Sequence, residues 1–96
     1  MKIRLLLPAD EEFAEAALYY YDESPQTARR FKRVVEESLR AIGATPKRFR
    51  RYGRTTRVKV VRGFPYSIFY TFDSEEVIVA AIAHDAQEPG YWESRL

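Results

Sequence analysis

Cysteine is absent from the 96 residues, histidine occurs once, and no apolar run approaches the length of a membrane span. Without cysteine, a disulfide scaffold, a thiolate metal site and a cysteine nucleophile are all excluded. His84 alone supplies too few ligands for a zinc centre, so neither a metal nor a cofactor is expected. The longest purely apolar stretch, Val77 to Ala83, is far below the roughly 20 residues that cross a bilayer. Residues 1 to 20 also lack a basic start followed by an apolar run, so no signal peptide is expected. These absences point to a soluble, cytoplasmic protein with no membrane partner. The chain is too short for separate cofactor and substrate domains, and one domain over residues 1–96 is expected. There is no glycine-rich phosphate loop, no His-Glu helix motif and no Gly-x-Ser-x-Gly elbow.

What the chain does have is segregated charge and many aromatic rings. A net charge of +2 conceals −4 over residues 1–28, +11 over residues 29–62 and −5 over residues 63–96. Cations clustered within a Debye length of about 8 Å reinforce one another and attract a polyanion or an acidic protein surface. The competing reading is a solvated helix face followed by a basic loop. Seven tyrosines, six phenylalanines and one tryptophan suffice for one modest core.

Ile3 to Leu7 is a short apolar run stopped by Pro8, which predicts an initial strand. From Pro8 the period becomes helical. Asp10, Glu11 and Glu12 sit in the first turn, Phe13, Ala16, Ala17 and Tyr20 recur on one face, and the helix is expected to end at Asp22 to Ser24. Ser24 can cap a second helix with Pro25 in its first position and Phe31, Val34, Val35, Leu39 and Ile42 as its apolar stripe. Gly43 reads as its C-cap, and the short turn predicts an antiparallel helix hairpin. Ala44 to Thr55 reads as an exposed basic loop or weak edge structure. Arg57–Val61, Tyr66–Phe72 and Val77–Ala83 predict a three-stranded meander, to which the first strand adds.

Candidate functional groups are few. His84 follows the most apolar strand and so lies where a buried strand meets solvent, in either a catalytic role or a structural hydrogen bond. Tyr91 and Trp92 either pack the tail or form a binding hot spot. Tyr19, Tyr20 and Tyr21 point in different directions from one helix, so at least one is available to a partner.

The Tyr20-Tyr21 helix end, Ala28-x-x-Phe31, Ile42-x-x-x-Pro46, Arg57, Gly63-Phe64-Pro65-Tyr66-Ser67-Ile68-Phe69-Tyr70, Ala81-Ile82-Ala83-His84, Pro89-Gly90-Tyr91-Trp92 and Arg95 follow in order. Together they resemble the ParE branch of the RelE/ParE toxin superfamily over nearly the whole chain. The resemblance implies an α+β fold in which a small antiparallel sheet, in the order β-α-α-β-β-β, packs against an N-terminal helix hairpin. It implies the toxin of a type II toxin-antitoxin system, silenced in a hetero-oligomer by a ParD-like antitoxin whose flexible segment folds onto it. The implied target is DNA gyrase, and the alternative is RelE-like cutting of messenger RNA on the ribosome. Antitoxin contacts are expected at Phe13, Tyr20, Phe31, Val35, Leu39, Tyr66 and Phe69. Target contacts are expected at Arg57, Arg62, His84, Gln87, Tyr91, Trp92 and Arg95. In a nuclease, Arg57, Arg62, His84 and Tyr91 would surround the phosphate. Gln87 stands where members commonly carry an arginine, and Tyr66 lies near a RelE strand arginine, departures that weaken the nuclease reading because a phosphate transition state needs those charges.

Overall fold

Ser24 ends one helix and starts the next. In the computed structural model, which describes residues 1–96, its amide donates to the Tyr20 carbonyl at 2.9 Å and closes α1 (Leu7–Glu23). Its hydroxyl accepts from the Thr27 amide and caps α2 (Pro25–Ala44), where Pro25 takes a position that needs no amide. The resulting hairpin lays two apolar stripes on one face of a sheet. Ala9, Ala16 and Tyr20 of α1 and Ala28, Phe31, Val35 and Ile42 of α2 are buried there. Phe31 is the hub of this layer. Its ring centroid lies 5.9 Å from Phe13, 5.0 Å from Tyr20, 5.1 Å from Phe64 and 5.3 Å from Tyr66, mostly in edge-on or tilted geometry.

The sheet contains β1 (Lys2–Leu5), β2 (Arg50–Arg51), β3 (Arg57–Val61), β4 (Tyr66–Phe72) and β5 (Glu76–His84), in the spatial order β1-β5-β4-β3-β2. The meander from β3 to β5 is antiparallel, as its tight turns require. The first strand departs from the all-antiparallel expectation: β1 lies parallel to β5, with Ile3 opposite Val77. No local turn ties these two strands, because the hairpin and three other strands intervene, so nothing in the connection forces an antiparallel pair. The sheet is therefore mixed.

Gly43 is not the helix cap. The helix continues to Ala44, and the Thr45 hydroxyl and amide both donate to the Ala41 carbonyl. Gly43 is needed for close approach instead, since a Cβ there would lie 2.8 Å from Ile3 Cδ1 and 3.2 Å from the Met1 carbonyl oxygen. The basic segment after α2 contains a 3-10 turn at Pro46–Arg48 and the two-residue strand β2. Two side chains from the sheet hold it. The buried Tyr70 hydroxyl donates to the Pro46 carbonyl at 2.6 Å, and the Arg57 guanidinium donates to the carbonyls of Lys47 and Phe49 at 3.0 and 2.8 Å.

The other face of the sheet carries a smaller core. Phe69 alternates with Ile68 and Tyr70 and so points away from the helices. Trp92, 1% exposed, stacks on Phe69 at 4.6 Å and packs with Ala80, Ala81 and Ala83. Phe69 pairs with Ala81 but Tyr70 with Val79, which makes Ala80 an extra residue and a β-bulge. No helix is long and apolar enough to cross a membrane.

Removing the phenol oxygen in Tyr70→Phe leaves the Pro46 carbonyl without its donor, and a net loss of about 1 kcal/mol is expected in urea unfolding. Faster hydrogen exchange confined to residues 46 to 50 is the accompanying signature, and unchanged exchange there would show that the bond does not hold the segment.

Candidate functional site

Glu12 sits on the inward face of α1, four residues before Ala16 and eight before Tyr20, a position that demands partners for a carboxylate. One oxygen accepts the Ile82 amide at 3.1 Å and an Arg95 nitrogen at 3.0 Å. The other accepts a second Arg95 nitrogen at 3.1 Å and a short bond from the Tyr91 hydroxyl. Arg95 also donates to the Ala80 carbonyl at 3.0 Å. This bidentate pair ties the last turn of the chain to the first helix. Burial, followed by the Glu12 carboxylate, pushes the Tyr91 phenol well above its ordinary range, and the Glu12 contact raises Arg95.

Two depressions face outward from the hairpin and the sheet edge. Between α1 and α2, a groove of about 410 Å³ is lined mainly by Phe13, Ala14, Ala17, Leu18, Tyr21 and Ala28. Leu18 and Tyr21 are 64% and 58% exposed, so the groove has apolar walls open to solvent. At the far side, β2 pairs only with Arg57 and Val58, which leaves the edge of β3 beyond them open. A basic cleft of about 580 Å³ runs along that edge, lined by Arg48, Arg50, Lys59 and Arg62 together with Phe49 and the 56% exposed Val60. None of these cations has a carboxylate partner, because the ion pairs are Arg4–Glu76, Arg33–Glu37 and Arg95–Glu12. Partial burial, with Arg62 and Arg48 adding to it, lowers the pKa of Lys59.

The residues singled out from the sequence divide into three groups. Phe31 and Val35 are fully buried and present no surface, while Tyr20 is nine-tenths buried, so these expected antitoxin contacts act as the packing beneath the hairpin. Phe13 reaches the groove; Tyr66 and Phe69 are half-buried sheet residues, and Leu39 packs against the main core. Among the expected target contacts, Trp92 is core, Tyr91 and Arg95 are bound to Glu12, and Arg57 holds the backbone at Lys47 and Phe49 while lying over the Phe72 ring. Arg62 and Gln87 are exposed. The Gln87 side chain accepts the His84 amide at 3.1 Å, and His84 Nδ1 accepts the Ala86 amide at 3.0 Å, so His84 closes its own turn and packs edge-on against Tyr66. Arg57 and Arg62 line separate depressions, and His84 shares a third with Tyr91, where Asp85 and Glu88 are the charged neighbours.

Sequence reasoning did not single out Glu12, Leu18 or the edge cations Arg48, Arg50 and Lys59 as functional groups, and it named Tyr21 only as one of three tyrosines of which at least one is available to a partner. The signal for Glu12 was present, since an acid on the buried stripe requires a cation elsewhere. Leu18 and Tyr21 fall outside that stripe and are large apolar residues on a solvent face.

The family model for the ParE toxin of the type II toxin-antitoxin system parDE matches residues 3–89. The chain belongs to this family. The match stops short of Tyr91, Trp92 and Arg95, the tail that meets Glu12. A chain of the "Chromosomal ParDE TA system from P. aeruginosa" has a similar fold, with a TM-score of 0.75 and 15% identity, covering 88% of this toxin and 95% of that chain. No curated protein sequence matches.

Glu12→Gln keeps an acceptor for the Ile82 amide but leaves the partly buried Arg95 without a counter-charge, and a loss of about 2 kcal/mol is expected from urea unfolding. Tyr91, Tyr20, Tyr66 and Tyr70 all have raised phenol pKa values, chiefly through burial. A raised folded-state value contributes stability that is fully present below the ordinary tyrosine range and is lost as the pH climbs above it. The melting temperature should therefore fall above about pH 10, and less steeply in Tyr91→Phe, followed by calorimetry alongside tyrosinate absorbance. Equal slopes in the two proteins would count against a special role for Tyr91.

Proposed function

We propose that this toxin acts in the cytoplasm by inhibiting DNA gyrase and is held inactive in a hetero-oligomer by a ParD-like antitoxin. Membership of the ParE family supports the toxin reading. The observation that carries the choice of target is the placement of the groups a nuclease would need. The depression shared by His84 and Tyr91 holds Asp85 and Glu88 with no lysine or arginine, so a phosphodiester there would meet repulsion instead of charge stabilisation. Poisoning of a protein machine requires no such cluster.

Two surfaces fit the two parts of a flexible antitoxin segment. An amphipathic helix can lay its apolar face into the groove around Leu18 and Tyr21. An acidic strand can add to the open edge of β3, where four cations have no partner and Val60 offers an apolar contact. Tyr66 and Phe69, expected as antitoxin contacts, lie inside the sheet and would be reached only at their exposed margins.

The target is tested with the purified toxin in a gyrase supercoiling and cleavage assay, run beside primer extension on cellular messages after induction. Loss of supercoiling with accumulated cleaved DNA is expected, whereas codon-positioned cuts in messages with supercoiling intact would overturn the gyrase reading. Binding of the antitoxin encoded next to the toxin gene separates the two surfaces. Leu18→Glu with Tyr21→Glu should slow nothing but raise dissociation by a factor of about 100 or more, since apolar anchors act mainly on lifetime. Arg48→Glu with Arg62→Glu should reduce the association rate about tenfold and flatten its dependence on salt. An association rate that is the same at low and high salt would remove the edge cations from the interface.

A further inference from the structure

On the side of α1 opposite the apolar groove, its later turns and the ends of β4 and β5 enclose an open cleft of about 520 Å³. Its floor is aromatic and its walls are acidic. Glu15, Tyr19 and Glu23 follow at four-residue spacing and so stand in line along one face of the helix, with Tyr20 and Tyr66 beside them. Three features of this cleft lack an internal explanation. First, neither Glu15 nor Glu23 has an ion pair, and no lysine or arginine lines the cleft; Glu12, at its end, is already paired with Arg95. Second, Glu23 and Asp22 lie in the last turn of α1, where carboxylates meet the negative end of the helix dipole, and no basic residue in the helix offsets them. Third, Tyr20 lines the cleft and is nine-tenths buried, its hydroxyl makes no hydrogen bond within the protein, and, since no buried side-chain oxygen or nitrogen is left unpaired, that oxygen is open to solvent and free to accept a donor.

We propose that this cleft is a docking site for an arginine side chain on a basic peptide segment of a partner protein. A guanidinium matches each of the three unexplained features. It is planar and stacks on tyrosine faces, it carries several donors in a fixed fork for Glu15 and Glu23, and it neutralises charge at the helix end. The partly buried phenol of Tyr20 adds an oxygen that can accept one of those donors. The cleft runs in the open along two turns of α1, which suits an extended peptide and not an enclosed small molecule. Its occupant is basic, so it is a different segment from the acidic strand proposed for the edge of β3. The two proposals stand apart: this one concerns the opposite charge and the other side of the sheet order, and its test requires neither antitoxin nor gyrase.

The test uses the full-length toxin and an acetylated, amidated Ala-Arg-Ala-Arg-Ala peptide at low salt, followed by heteronuclear NMR titration. Shifts at Tyr19, Tyr20, Tyr66 and Glu23 are expected. Replacing both peptide arginines with citrulline, which keeps the shape and removes the charge, should weaken binding by a factor of about ten or more, and lysine should weaken it by a smaller factor. Glu15→Gln with Glu23→Gln should weaken the arginine peptide roughly tenfold while leaving the melting temperature equal or higher, because both carboxylates are exposed and without an ion pair and Glu23 meets the negative end of the helix dipole. Tyr20→Phe, which keeps the ring and its packing, should weaken it about threefold. Equal binding of the citrulline peptide, full binding by the double glutamine variant, or shifts centred on Asp85 and Glu88 would each overturn the proposal, and a lysine peptide that binds as tightly would overturn its choice of guanidinium.

Discussion

A strand edge that is shut off from water must still find partners for its amides and carbonyls, and the second half of β5 finds them in side chains. β1 pairs with Glu76 to Val79 and then leaves to become α1, so the edge from Ala80 onward has no neighbouring strand. Arg95 donates to the Ala80 carbonyl, Glu12 accepts the Ile82 amide, and Gln87 accepts the His84 amide. A carboxylate and a guanidinium thus stand in for a missing strand. Because they also bind each other, one small polar cluster joins the first helix, β5 and the tail. Trp92, which stacks on Phe69, lies between the two tail residues, Tyr91 and Arg95, that bind Glu12. The Ala80 bulge fits the same arrangement, as it sets the extra carbonyl where Arg95 can reach it.

Much of this architecture could be read from residue order. The helix hairpin follows from the Ser24-Pro25 punctuation and from the α2 stripe of Phe31, Val35 and Ile42, because local capping and burial periodicity agree there. The meander was equally legible, since Tyr66–Phe72 and Val77–Ala83 combine β-branched and aromatic residues between turns. The direction of β1 was not, because strand pairing across the whole chain leaves no mark in either strand. Gly43 shows the related limit of local rules: a glycine near a helix end reads as a cap, and only the packed position of Ile3 reveals a steric need. The site was less legible than the fold. Arginine and tyrosine serve structure and recognition with the same atoms, and only geometry separates Arg57, bound to backbone carbonyls, from Arg62, free at an edge.

The charge segregation seen along the chain becomes a division of surfaces. The +11 block does not act as one patch: part of it supports the 3-10 turn and β2, and part of it lines an open strand edge without counter-ions. The acidic first third supplies one partly buried carboxylate to the tail and leaves two others along an aromatic cleft. A small toxin with opposite fields on separate faces can distinguish partners by charge before apolar contacts form. The groove between the helices is mostly apolar, with Asp10 and Lys32 in its lining, and apolar contacts of that kind act mainly on the lifetime of a complex.

The pairing of β1 with β5 joins the earliest and latest strands to be synthesised. While a ribosome is still producing the chain, Lys2–Leu5 has no strand to lie against, and the apolar stripes of the helices have no floor. A nascent or prematurely terminated product lacking β5 therefore exposes the surfaces that chaperones and proteases read. The architecture thus ties synthesis of β5 to acquisition of a lasting shape.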